Sequence, residues 1–138
     1  MSSESRRLAG ILLILVPVVA FGGASLLSMI LGQAPGYLDN AVRQDLWRAG
    51  HAHAGVLLIL ALVLLRYVDD ANLSGAALWL ARLGVPIAAI LMPVGFFLSV
   101  VSPDATEPNA LIYLVFVGGL FLAGGVLTLG VGLLRSGR

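Results

Sequence analysis

Four long, almost uncharged apolar stretches constrain this chain more than any other feature. A helix that crosses roughly 30 Å of hydrocarbon needs about 20 predominantly apolar residues. Segments 8–31, 49–68, 75–101 and 110–134 each meet that requirement. Composition closes the alternative of a soluble domain. The 138 residues are 59% hydrophobic and 11% charged, with a mean hydropathy of +1.03, whereas a soluble domain carries about a quarter charged residues. A chain this short could not bury so much apolar surface away from water. The expected fold is therefore all-α: an integral membrane, antiparallel (up-down) bundle of four transmembrane helices forming a single domain over 1–138. Pro17, Pro86 and Pro93 fall inside the spans. Membrane helices tolerate such prolines, because neighbouring groups re-satisfy the freed carbonyls.

The connections are short, and short connections favour antiparallel neighbours. Ala71 to Ser74 joins the second and third spans, and Pro103 to Asn109 joins the third and fourth. The longest connection opens with the turn residues Ala34-Pro35-Gly36 and continues from Leu38 to Trp47, which reads as a short interfacial helix. Ser5-Arg6-Arg7 before an apolar run imitates a signal peptide, but the run is longer than a typical h-region and no small-residue cleavage site stands out. The first helix is expected to be retained. Arg6, Arg7, Arg66, Arg82, Arg135 and Arg138 fall on one side, against Arg43 and Arg48 on the other. The positive-inside rule then places both termini in the cytoplasm of a bacterium, with the protein in the plasma (inner) membrane. Tyr37, Trp47 and Tyr113 would form the outer aromatic belt, and Tyr67 and Trp79 the inner one. Arg82 should snorkel toward Asp69 or Asp70, and Asp45 can pair with Arg48 one turn away.

Lipid offers no hydrophobic drive for helix association, so small residues mark the expected seams. These are Ala20, Ala24, Ser28 and Gly32 in the first span, Gly50, Ala54 and Ala61 in the second, Ala81, Ala88 and Gly95 in the third, and Gly118, Gly125 and Gly132 in the fourth. The same seams would serve a homo-oligomer or a membrane-protein partner beyond the lipid bilayer itself. Asp39-Asn40-Ala41 and Pro108-Asn109-Ala110 echo each other before the second and fourth spans. A net charge of +1 gives no basis for nucleic-acid binding, and the lack of cysteine removes thiolate and disulfide chemistry. No nucleophile–base–acid constellation and no phosphate-cradling loop is present. The pairs Gly22-Gly23, Gly118-Gly119 and Gly124-Gly125 lie inside apolar helices.

The one chemical signal is Arg48-Ala49-Gly50-His51-Ala52-His53-Ala54-Gly55, which holds both histidines of the chain. Imidazole nitrogens within a membrane need partners that lipid cannot supply, so an intramembrane histidine is a functional candidate. Residues two apart on a helix point about 200° apart, and the two rings should therefore flank the Gly50/Ala54/Ala61 seam without gripping one ion together. Three readings stand. One histidine ligates haem b or copper, with the other histidine, Met29, the deeper Met92 or a second copy of the chain as further ligand. Alternatively the histidines titrate within a proton path extended by Ser28, Ser99, Asn109, Tyr113, Asp104 and Glu107. In the third reading they only fix helix register through hydrogen bonds.

The segment resembles a recurring feature of small, uncharacterised actinobacterial membrane proteins in which an H-x-H pair opens a hydrophobic helix. It is more distantly similar, over about ten residues, to segments near the haem-copper oxidase catalytic subunit. That likeness implies His51 or His53 as the haem ligand, although the chain has too few histidines to be such an oxidase. The expectation is a small inner-membrane protein that binds haem or a transition metal through His51 or His53 near its outer face and assists electron transfer or a respiratory complex, without catalysis of its own. The alternatives are a proton-linked transporter or channel subunit, and a purely structural subunit.

Overall fold

A computed structural model describes residues 1–136. It contains α1 (Ser3–Leu31), α2 (Ala41–Tyr67), α3 (Gly75–Ser99), a short 3₁₀ turn (Ala110–Ile112) and α4 (Tyr113–Ser136). All four helices are long and apolar enough to cross a membrane, and among the described residues there is no strand. The three span prolines lie inside unbroken helices. Arg138, which contributes to the arginine asymmetry, lies outside the described residues.

Capping side chains set several of the boundaries. Ser2 accepts from the Ser5 amide to start α1, and the Asn40 carboxamide accepts from the Arg43 amide to start α2, each satisfying a donor that helix geometry leaves free. Asn40 also explains a departure from the expected layout. The separate interfacial helix over 38–47 does not form: from Ala41 the chain runs directly into the second span as one helix. Nothing between Ala41 and Tyr67 breaks the backbone ladder, and the turn is completed before the cap, where Gly36 takes the left-handed conformation (φ 71°). The echo between the two connections has the same chemical basis. Asn109 caps the 3₁₀ turn through the Leu111 amide, and both asparagines donate their amide hydrogens back to loop or helix-end carbonyls.

The helices pack in sequence, α1 on α2, α2 on α3, and most extensively α3 on α4. Three of the four expected seams are used. Ala61, Ala81 and Ala88 are fully or almost fully buried, as are Gly50, Gly95, Gly118, Gly125 and Gly132. Gly84 faces Gly125 so closely that a Cβ on Gly84 would stand 2.6 Å from the Phe121 carbonyl oxygen and 2.9 Å from the Gly125 Cα. The seam expected on α1 is not used: Ala20, Ala24, Ser28 and Gly32 are all exposed. The helix docks instead through Leu12, Val19, Leu26 and the pair Gly22-Gly23. Two adjacent glycines allow closer approach than a stripe that keeps a Cβ at three of its four positions.

Polar clusters close the two ends. At the terminal end, Arg82 donates to Asp69 at 3.0 Å, the Ser2 amide donates to the same carboxylate at 2.7 Å, and Ser5 is fully buried beside them. The expected reach of Arg82 toward Asp69 is therefore present, and its guanidinium also lies 5.0 Å from the Trp79 ring centre. Asp70 pairs separately with Arg66. At the histidine end, Arg43 donates to the carbonyls of Gly36 and Val101 and stacks on Trp47, whose indole donates to the Phe97 carbonyl. Tyr37 is only 1% exposed, so it belongs to this packed cap and not to an aromatic belt. Asp45 does not pair with Arg48; Arg48 donates to Gln44 instead.

Candidate functional site

Both histidines lie in the N-terminal half of α2, and the helix turns them to opposite flanks, as their spacing requires. Gly50, between them and the bulk of α3, has no room for a side chain. A Cβ there would sit 3.0–3.1 Å from Phe96 and Phe97 atoms. This contact clamps the start of the second span against α3 and fixes where each imidazole stands.

His51 points at α1. Its Nε2–Cε1 edge rests against Gly23, where an added Cβ would come within 2.8 Å of Nε2, and Gly22 lies beside Nδ1. The two glycines form a notch shaped for the ring. No hydrogen bond joins His51 to another described residue. One turn further along α2, Gly55 meets Val19, so the same flank of the helix continues into an apolar contact. The sequence signal for this notch is the Gly22-Gly23 pair, whose partner could not be identified without the pairing of α1 with α2.

His53 stands on the other flank. Its Nδ1 is 2.7 Å from the Ala49 carbonyl oxygen, one helical turn back, and its ring lies 5.0 Å from that of Phe96, tilted by 37°. A carbonyl oxygen can only accept, so in the neutral ring the proton resides on Nδ1. Nε2 then carries the lone pair. This second-sphere contact is the one by which metal-binding histidines have their tautomer and ring orientation set. His53 is half-buried, held by an aromatic neighbour and its own backbone, with one nitrogen uncommitted.

The other candidates do not converge on either ring. Met29 lies six residues beyond Gly23 on α1, about 9 Å further along the helix axis than the level of His51. Met92 is buried against Gly118 of α4. Ser28 and Ser99 donate to carbonyls of their own helices, Asn109 is occupied at the α3 terminus, and Tyr113, Asp104 and Glu107 are exposed. None of these residues is hydrogen-bonded to a histidine. Among the described residues no group of three or more His, Asp or Glu side chains could hold a metal ion. Comparison with family models, with curated proteins and with solved structures finds no match.

Proposed function

We propose that this chain is a multi-pass protein of the bacterial inner membrane, with helices running alternately up and down and both termini in the cytoplasm, that presents His53 as an axial ligand to haem near its outer face. In this role it is a non-catalytic electron-transfer or accessory subunit of a respiratory assembly. One observation carries the assignment: the Nδ1–H of His53 is committed to the Ala49 carbonyl, which leaves Nε2 as a directed, neutral lone pair of the kind that haem iron accepts. Haem suits the site better than a bare copper ion. Porphyrin supplies four donors itself and needs only one protein ligand, whereas a bare ion draws several donors from the protein, and none cluster around His53. A sixth ligand, where one is used, would come from a second copy or a partner subunit. Met29 lies too far along α1 to be the natural choice.

His51 serves a different purpose in this proposal. Its seating on Gly22-Gly23 suits a spacer that sets the approach of α1 to α2. The proton-path alternative draws little support, because Ser28, Ser99 and Asn109 donate to main-chain carbonyls and none of the six polar candidates is hydrogen-bonded to a histidine.

The test is the optical spectrum of detergent-purified protein, oxidised and reduced, with metal analysis of the same sample. A Soret band that shifts on reduction is expected in the native protein and in His51→Ala, and its loss in His53→Ala. A flat spectrum from protein expressed with ample haem would refute the proposal, as would a band that survives His53→Ala.

A further inference from the structure

The free nitrogen of His53 lies where something outside the bundle can reach it. Among the described residues, the buried side-chain nitrogen and oxygen atoms without a hydrogen-bond partner belong to Tyr37, Arg43 and Arg82. Nε2 of His53 has no partner either, since the bond of this ring is made through Nδ1, yet it is not one of those buried atoms. It therefore reaches the surface of the bundle, although the ring as a whole is half-buried. Val56, three residues on and so on the same side of α2, is 65% exposed. His53 thus stands at the edge of the face that α2 turns away from its neighbours, with Phe96 beside the ring.

The chain has no second donor to set opposite that nitrogen. It contains no cysteine and no lysine, and its other imidazole and thioether groups are turned elsewhere. His51 is on the other flank, against Gly22 and Gly23 of α1, and Met29 belongs to that same helix. Met92 is buried on Gly118 of α4. Met1 precedes Ser2 at the Asp69 end of the bundle. Haem iron has two axial positions outside the porphyrin plane. One chain fills one of them.

Symmetry supplies the other. Copies of one sequence enter a membrane in the same orientation, because the same arginines orient each of them. The twofold, the commonest symmetry of homo-oligomers, then has its axis along the membrane normal. Two copies so related carry His53 at equal depth, and each turns the same face to the axis. An iron on that axis would meet the same nitrogen from both sides.

We propose that the haem site is shared: two copies of this chain form a twofold dimer, and the His53 side chains of both ligate a single haem between them. The inference rests on the haem reading above and narrows its sixth ligand to the His53 of a second copy.

The experiment takes the full chain purified in detergent with added haem. It measures haem per polypeptide, protein mass in the micelle by light scattering, and spin state by electron paramagnetic resonance. The expected result is one haem to two chains, in a dimer, with a six-coordinate low-spin signal. Haem-free protein should shift toward the single chain, because a ligand held only by the dimer stabilises it. Val56→Trp changes an exposed position and leaves both histidines in place; it should weaken dimerisation about tenfold and remove the low-spin signal. Native and His53→Ala chains co-expressed with different tags give a second check, since the fraction captured through both tags should carry no low-spin haem. One haem per chain in a monomer, or a low-spin haem shared with a different polypeptide, would overturn the shared site. So would a native-strength low-spin signal in Val56→Trp. A flat spectrum is a separate failure, which would refute the haem reading itself and this inference with it.

Discussion

The α3–α4 contact at Gly84 offers the sharpest test of the packing. In Gly84→Ala the new methyl would stand 2.6 Å from the Phe121 carbonyl oxygen and 2.9 Å from the Gly125 Cα, where ordinary contact begins near 3.4 Å. Both obstacles are backbone, so no side chain can rotate away. The helices must separate by about 0.8 Å at this level, and every contact along the most extensive interface in the molecule loosens with them. Overpacking of this kind costs about 1–3 kcal/mol. The intrinsic helix preference of alanine over glycine offsets up to about 1 kcal/mol of that. Gly119 and Gly130 on α4 provide the control, because a Cβ at either meets nothing within 4 Å. Gly119→Ala and Gly130→Ala should therefore keep the propensity gain and be neutral or stabilising by up to about 1 kcal/mol. The assay is reversible unfolding in mixed micelles against rising mole fraction of a denaturing detergent, read by helical circular dichroism and by fluorescence of Trp47 and Trp79. Gly84→Ala should unfold earlier than either control by the equivalent of about 1–3 kcal/mol. If all three variants share one midpoint, the close approach of Gly84 to Gly125 is refuted.

Three further outcomes follow from the ends and from α1. Burial works against the Asp69 charge, but hydrogen bonds from the Ser2 amide, the Ser5 and Ser2 hydroxyls and Arg82 outweigh it and hold the carboxyl at about 2, below its ordinary 3.8. A depressed carboxyl contributes stability that is complete above pH 4 and lost as pH falls toward 2. With solvent screening this amounts to roughly 1–2 kcal/mol, and Asp69→Asn should flatten the acid limb of the unfolding midpoint; an unchanged limb would refute it. Tyr37→Phe removes a buried hydroxyl that has no hydrogen-bond partner among the described residues, so it should be neutral or stabilising by about 1 kcal/mol, and a loss of that size would show that the hydroxyl is satisfied. Gly23→Ala should cost about 1–2 kcal/mol by pushing into the His51 ring and almost nothing in a His51→Ala background. Strictly additive costs in that double-mutant cycle would mean the notch does not hold the ring.

What could be read from the sequence was whatever a single helix or turn determines within itself. The four apolar helices and the reach of Arg82 to Asp69 depend on hydropathy and on side-chain length. The angular separation of His51 and His53 is a property of one helix, and it too was legible. Which face of a helix meets a neighbour depends on the partner's surface, and there the sequence misled. The Ala20-Ala24-Ser28-Gly32 stripe has the composition of a seam but is exposed, because the Gly22-Gly23 notch and the His51 ring fit each other better. Gly84 carries no signal of its own until α4 brings Gly125 against it. The same holds for His53: only the fold shows that its Nδ1 is bound to Ala49 and its ring held by Phe96, since a tautomer is set by the partner and the sequence names no partner. Periodicity and composition act along the chain and decide that these helices form. Close packing acts across it, and decides which of their faces meet and which nitrogen is left free.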